Sequence, residues 1–479
     1  MNVLALECST QSAKAILYDD KLGVQDVVSL PFAPEASDVI TQDAEAIYDT
    51  LCACTRKLAG RNPDKKIACI GLSFIWHSLL LLDERRKPLG RISTWANTAA
   101  GPLVARYRTD GHTAKWSYAK TGCLVHSMYP LWQWLYLCQT QPELAQKARY
   151  ISCQASYIYE RLTGDIAYSK CVASGSSFMN IHTLDWDEDI LKFAGLTKEQ
   201  LPPLKEACDT MPLSQEAAAQ MGLPFGIPVC VGGADGALNQ VGSGAMKPGV
   251  MTFSVGTSGA IRLAVDAPVL PENPATWCYY IADGKRIAGA ATSGAGNCVN
   301  WFVKDLLGGR LSFSELEQAI AQSDTQNAPI FLPFLYGERC PGGEDSRKGG
   351  FVQVEGSHGV GQLYYALLEG VLMNVYQCYK ILNGLGSRAE RISITGGIVH
   401  SPVWLQLAAD LFGKAMETST QEHASTMGAV ALALKAAGSI ARLEEFEAPA
   451  GTVIEPDMTR HAALQERYRL YLDCYNKSM

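Results

Sequence analysis

Val3-Leu-Ala-Leu-Glu-Cys-Ser-Thr-Gln-Ser-Ala-Lys-Ala-Ile-Leu-Tyr18 is an apolar strand, a tight turn of small and hydroxyl residues, and a second apolar strand. The same plan returns at Val250-Met-Thr-Phe-Ser-Val-Gly-Thr-Ser-Gly-Ala-Ile-Arg-Leu-Ala264. Each segment reads as a β-hairpin. A turn rich in Gly, Ser and Thr leaves backbone N–H groups uncovered and adds hydroxyl donors, a concavity that suits phosphate oxygens. One such hairpin says little. Two at corresponding places point to duplicated domains that face each other and hold a polyphosphate between them.

The rest of the composition fits that reading. A chain of 479 residues is long enough for two large domains. Hydrophobic residues are 47% and charged residues 19%, an ordinary globular balance. The net charge of −7 argues against nucleic acid or an anionic membrane as the main partner. Ile67–Leu82 is the longest apolar stretch, but Ser73, His77 and Ser78 interrupt it, so it reads as two strands and not as a membrane span. The chain opens on strand-like sequence without the pattern of a signal peptide. Its 15 cysteines are too dilute for a disulfide scaffold, and the close pair Cys52-Ala-Cys54 has no second pair at zinc spacing. A cytoplasmic protein with reduced thiols is expected.

Strands are predicted at 3–7, 13–19, 67–74, 79–83, 228–232, 250–255, 260–264, 286–290 and 391–395. Helical patterns fall at Asp43–Leu58, Leu131–Gln139, Ala155–Leu162, Ser314–Ala321, Gly361–Asn383, Val403–Phe412, Thr426–Ala437 and Leu464–Asn476. Strand pairs followed by helices predict mixed α/β domains. The Gly-rich stretch Gly242–Gly249 precedes the second hairpin and is the expected boundary, giving domains 1–245 and 246–479.

Pro228-Val-Cys-Val-Gly-Gly-Ala-Asp235 runs from strand through a glycine turn to a helix. Asp235 at that place is either a helix N-cap or a carboxylate held in a cleft, able to take a proton from a substrate hydroxyl. The flanking glycines let a ligand approach closely. Thr395-Gly396-Gly397 sits between a strand and a helix and serves equally as a plain turn or as a place where a nucleotide meets backbone. Neither G-x-x-x-x-G-K-[ST] nor G-x-G-x-x-G occurs, so P-loop and Rossmann readings have no support. His77, in Phe74-Ile-Trp-His-Ser78, stands between apolar runs like a core histidine. His126-Ser-Met-Tyr-Pro130 is a loop, and Gly337-Glu-Arg-Cys-Pro-Gly-Gly343 and Ser346-Arg-Lys-Gly-Gly350 read as salt-bridged turns.

In this order the pieces resemble the FGGY carbohydrate kinase family, over essentially the whole chain. The first phosphate hairpin, Asp-x-Gly-Thr-x-Ser-x-Lys in the family, is Glu7-Cys-Ser-Thr-Gln-Ser-Ala-Lys14. Leu162-Thr-Gly164, Asp185-Trp186, Gly232-Gly-Ala-Asp235, Gly256-Thr-Ser258, Gly296-Asn-Cys-Val-Asn-Trp301 and Gly337-Glu-Arg-Cys-Pro341 follow the family's motifs. So do Gly396-Gly397, Ser401, Trp404, Gln406 and Ala409-Asp410. Thr121-Gly-Cys-Leu-Val-His-Ser-Met-Tyr-Pro130 is similar to the gluconate kinase branch. The branch's Trp-Ala-Asp-x-Arg appears as Trp95-Ala-Asn-Thr-Ala99, with Asn97 for the acid and Ala99 for the arginine.

The resemblance implies two actin-like (ribonuclease H-like) domains flanking a cleft, and ATP-dependent phosphorylation of a hydroxyl on a small sugar, sugar acid or polyol. A xylulokinase-like ketose kinase is the alternative. A non-catalytic sensor on the same scaffold is the rival from another class, raised by the departures at Glu7, Ser9, Asn97 and Ala99. The sugar falls mainly to the N-terminal domain and the nucleotide mainly to the C-terminal one. Asp235 is implied as catalytic base. Trp76, His77, Asn97, His126 and Met128, with Asp235, are implied as substrate contacts. Thr10, Gln11, Gly256, Thr257, Gly296, Asn300, Gly397 and Ser401 are implied around ATP, and Glu7 and Asp235 near Mg²⁺, which keeps most of its waters. The substrate loops bring amide, imidazole and aromatic groups without an arginine, so the pocket is expected to read neutral hydroxyls. A sugar acid would need a cation from elsewhere, Arg339 or Arg347. The expected partners are a small sugar or sugar acid and a second copy of the chain in a homodimer, with no nucleic acid and no membrane.

Overall fold

The computed structural model describes residues 1–344, 346–385, 388–419 and 421–477. Both expected hairpins form. Asn2–Cys8 pairs antiparallel with Ser12–Asp19, from Asn2 opposite Asp19 to Cys8 opposite Ala13. Val250–Val255 pairs with Gly259–Val265, ending on Val255 opposite Gly259.

Each hairpin is the heart of a seven-stranded sheet. The first runs in the order Thr210–Pro212, Pro228–Cys230, Ile67–Phe74, Asn2–Cys8, Ser12–Asp19, Gly23–Pro31. The second runs Val453–Ile454, Met416–Thr418, Arg391–Gly396, Val250–Val255, Gly259–Val265, Lys285–Thr292, with Trp277–Ala282 added at its edge. Along both orders the pairings are antiparallel, parallel, parallel, antiparallel, antiparallel. The halves are one topology used twice. The central strand of the first sheet is covered on both faces, so Val3, Leu4, Ala5 and Leu6 are all buried and its sequence is apolar without alternation.

Helices cover the sheets. Ala44–Arg61, capped by Asp43 accepting from the Ala46 N–H, packs on the first hairpin. Val360–Gly384 packs on the second sheet. Ala424–Ala436 comes late in the chain but packs on the first sheet, against Asn2–Cys8 and Ile67–Phe74. It crosses the helix Asp235–Gly242 almost backbone to backbone. A Cβ on Gly242 would stand 1.9 Å from the Ala424 carbonyl oxygen, and one on Gly428 would stand 2.1 Å from that of Leu238. Glycine at both positions is what lets the two helices touch.

The predicted strand 228–232 is split into Pro228–Cys230 and Gly233–Ala234 because Gly232 takes φ +88° and turns the chain. The strands Gly23–Pro31 and Trp277–Ala282 are additions, as are several short helices. No helix among the described residues is long and apolar enough to cross a membrane.

Candidate active site

Asp235 is the first residue of the helix Asp235–Gly242, with Ala234 at the cap position. It is therefore not the N-cap. Its carboxylate accepts from the Gly236 N–H at 2.7 Å and from the Trp76 backbone, and the Trp76 indole lies against Gly236. Burial raises its pKa to about 6, the negative charge of Glu7 adds to the rise, and Arg262 opposes it. A carboxyl that changes charge near pH 6 suits proton abstraction from an alcohol at neutral pH.

Glu7 is 5% exposed and both its oxygens are engaged. Oε2 accepts from Lys14 Nζ at 3.0 Å and Thr426 Oγ1 at 2.9 Å, and Oε1 accepts from Ser73 and Ser425. Ser425 and Thr426 open the helix Ala424–Ala436, so the carboxylate also sits at that helix's positive end. Burial alone would raise its pKa, but Lys14 and the hydroxyls hold it below the usual carboxylate range. Glu7 thus ties the first hairpin to a helix of the second half. Among the described residues no group of three or more His, Cys, Asp or Glu is placed to hold a metal. Asp235 forms no salt bridge among the described residues, and such a donor set would suit an ion that arrives on nucleotide phosphates and keeps its waters.

The two histidines are neutral, and their tautomers are set by opposite partners. His77 Nδ1 donates to the Gly175 carbonyl at 2.6 Å, which leaves Nε2 as an acceptor. His126 Nδ1 accepts from the Met128 N–H at 3.1 Å, which leaves Nε2–H as a donor. Burial lowers both pKa values to about 3, and the Arg339 charge adds to the drop in each. His77 packs edge-on against Tyr129 and Tyr279, and Trp76 stacks beside it. His126, Met128 and Arg339 line a cavity of about 200 Å³ with Tyr129 and Trp277. Asn97 is not part of it. Its amide is spent on Ser93 Oγ and the Ala99 N–H, and it faces a separate groove of about 460 Å³.

Gly256, Thr257, Gly296, Asn300, Gly397 and Ser401 come together around a cavity of about 370 Å³. The Gly256-Thr257-Ser258 turn is exposed, and the helix Gly296–Asn300 braces it: Gly296 N–H donates to the Gly256 carbonyl and Asn297 N–H to that of Thr257, each at 3.0 Å. A Cβ on Gly296 would stand 2.5 Å from the Gly256 oxygen, so the brace needs glycine. Thr10 and Gln11, at the tip of the first hairpin, are not in this lining. The Thr10 hydroxyl accepts from Trp95 Nε1 at 3.2 Å, and its carbonyl is held by Ser37 and Gln42.

The substrate loops themselves bring no arginine, and of the two cations expected from elsewhere Arg339 lines the cavity with His126 and Met128. Arg262 and Arg339 both reach this region, and Asp235 is the anion beside Arg262. Arg347 does not: it is buried, 3.1 Å from Glu338, with its guanidinium over the Tyr475 ring, and is a structural anchor. Several residues escaped the sequence reading. Arg262 is the one charge in the strand Gly259–Val265, an anomaly that was visible. Trp277 and Tyr279 lie in an edge strand that went unrecognised. Glu317 and Phe313, which line the nucleotide-sized cavity, sit on a helix that reads as purely amphipathic.

Duplicated sheets, a glycine-braced cavity beside one phosphate-type hairpin, and a helix-borne carboxylate of raised pKa define an actin-like phosphotransferase. The chain belongs to the FGGY family of carbohydrate kinases: residues 2–242 match its N-terminal domain and residues 251–437 its C-terminal domain. It is 29% identical to the gluconokinase of Bacillus subtilis (strain 168), over 98% of this chain and 93% of that protein. The gluconate kinase and a ligand-bound xylulose kinase of Lactobacillus acidophilus each superpose with a TM-score of 0.94. Each is 28% identical, over 99% of this chain and 98% of the other. The protein is thus a carbohydrate kinase of a family that uses ATP as phosphate donor.

Proposed function

We propose that the protein phosphorylates a hydroxyl of a small sugar acid, in the manner of a gluconate kinase. Residues 1–245 hold mainly the acceptor and residues 246–479 mainly the nucleotide. The observation that carries the proposal is Asp235, a carboxyl with pKa about 6 at a helix start, beside the neutral histidine region. Ionised Asp235 takes the proton of the attacking hydroxyl. His77 Nε2 accepts from one acceptor hydroxyl, and His126 Nε2–H donates to another. Met128 and Trp76 supply apolar contact and keep Asp235 partly dry. Asn97 supports the loop from behind. Gly256, Thr257, Gly296, Asn300, Gly397 and Ser401 position the nucleotide, while Thr10 and Gln11 close over its phosphates from the first hairpin. Phosphoryl transfer asks mainly for such positioning and for charge stabilisation. Mg²⁺, when bound, neutralises charge on the phosphates, with Asp235 and, through water, Glu7 nearby.

The likeness to a xylulose kinase supports a second reading, a ketose as acceptor. An ADP-release assay with D-gluconate, D-xylulose, L-xylulose and D-glucitol separates them. Turnover fastest on D-gluconate supports the first reading, and fastest on a xylulose the second. No turnover on any of the four refutes both. A cytoplasmic location, supported by 15 free thiols, and assembly as a homodimer complete the proposal; light scattering tests the assembly.

A further inference from the structure

The second arginine of this site has no counterpart among the motifs that carry the family resemblance. Arg262 lies in the strand Gly259–Val265, opposite Gly289, and Gly289 lies opposite Trp277 on the next strand. Directly opposed residues of antiparallel strands point to the same face. Ala291, two residues from Gly289, and Trp277 both line the cavity that holds His126 and Met128. Arg262 is therefore on the cavity face of the sheet. The Trp277 ring lies across Gly289 toward it, a packing that a Cβ at 289 would block at 2.5 Å.

Arg339 lines the same cavity from the loop Gly337–Pro341. Its neighbour Glu338 turns inward to Arg347, which leaves Arg339 facing out of the loop. The polar contact of Arg339 is Met128 Sδ at 3.8 Å, and that of Arg262 is Ser254 Oγ at 3.2 Å. Neither guanidinium has a carboxylate within salt-bridge distance among the described residues. Arg262 is desolvated, faces the repulsive charge of Arg339, and among the described residues has Asp235 as its attractive neighbour. Among the described residues, Arg262 and Arg339 are half-buried guanidiniums without a salt-bridged carboxylate, an arrangement that an anion on the ligand would satisfy. Arg339 lines the cavity of His126 and Met128 and not the nucleotide-sized one, and Arg262 joins it on that side through the shared sheet face.

We infer that Arg262 and Arg339 form a subsite for the carboxylate of a hydroxy-acid acceptor, and that Arg262 is the residue that selects acids over neutral sugars. The inference deepens the sugar-kinase reading and rests on it for turnover, but not for binding. The test uses the full-length protein, the variants Arg262→Met and Arg262→Lys, and two probes of equal length, D-gluconate and neutral D-glucitol. Calorimetric titration measures binding, and ADP release measures turnover. The parent should bind D-gluconate in preference to D-glucitol. Arg262→Met should weaken D-gluconate about 10–100-fold, the worth of a lost charge-assisted hydrogen bond, with D-glucitol changed less than threefold. Arg262→Lys should recover part of the loss, and matched thermal melts of the variants check folding. Equal loss for both probes would overturn the inference and assign Arg262 to Asp235 or to the transferred phosphoryl group. So would parent binding of D-glucitol as tight as D-gluconate. Arginine-dependent D-gluconate binding without turnover would leave the subsite standing and sink the kinase reading instead.

Discussion

The raised pKa of Asp235 sets the acid side of the pH–rate profile. An ordinary aspartate is ionised above about pH 4 and would leave kcat/KM flat from pH 5 to 8. With a pKa of about 6, roughly one molecule in ten carries the ionised base at pH 5 and roughly nine in ten at pH 7, so kcat/KM should fall about tenfold between them. Burial is the larger cause of the rise and Glu7 the next. Glu7→Gln deletes that neighbouring negative charge and frees Lys14, and both changes favour ionised Asp235. The acid limb of the variant should move to lower pH and stay above 4, because burial remains. The assay is initial-rate ADP release at limiting acceptor from pH 4.5 to 8, with the coupling enzymes in excess at each pH. A parent limb below pH 5, or a Glu7→Gln limb that stays in place or moves up, would refute the assignment of the limb to Asp235 under the field of Glu7.

Asp235→Asn should cut kcat by roughly 10²–10⁴-fold with binding of both substrates retained. It should also raise the melting temperature at pH 7.5. A carboxyl whose folded pKa lies above its unfolded value costs nothing below pH 3.8, progressively more up to pH 6, and at most about 3 kcal/mol beyond, so the stabilisation should fade near pH 4. Gly296→Ala forces a Cβ against the Gly256 carbonyl and should raise KM for ATP about tenfold, from roughly 1–3 kcal/mol of overpacking; an unchanged KM would disconnect the brace from nucleotide binding. Arg347→Met should destabilise by about 3–5 kcal/mol through the stranded Glu338 charge and leave acceptor preference as it was, as thermal melts and the probe pair will show. His77→Ala should lower kcat/KM for the best acceptor; no change would make His77 a packing residue only.

The duplicated hairpins were legible because a turn of small and hydroxyl residues between two apolar strands has few other uses. The helices that carry long apolar faces were legible for the same kind of reason, periodicity. Asp235 was ambiguous in sequence because an N-cap and a cleft base use the same residue; the fold separates them by giving the cap position to Ala234. Asn97 looked like a substrate contact because its loop resembles one, yet its amide closes a local turn. Arg262 was passed over because strand reading weighs the apolar majority, while the informative residue was the exception. Trp277–Ala282 is buried along its length and lacks the alternation that would have marked it.

The helix Ala424–Ala436 lies on the first sheet but starts about 190 residues after Ala234, the last strand residue of that sheet. A ribosome adding roughly 5–20 residues per second needs about 10–40 s to deliver it. Through that interval the strands Asn2–Cys8 and Ile67–Phe74 are complete yet lack their cover on one face. The half of the molecule made first is therefore finished last, and a nascent chain stalled before Ala424 presents an open apolar sheet to chaperones.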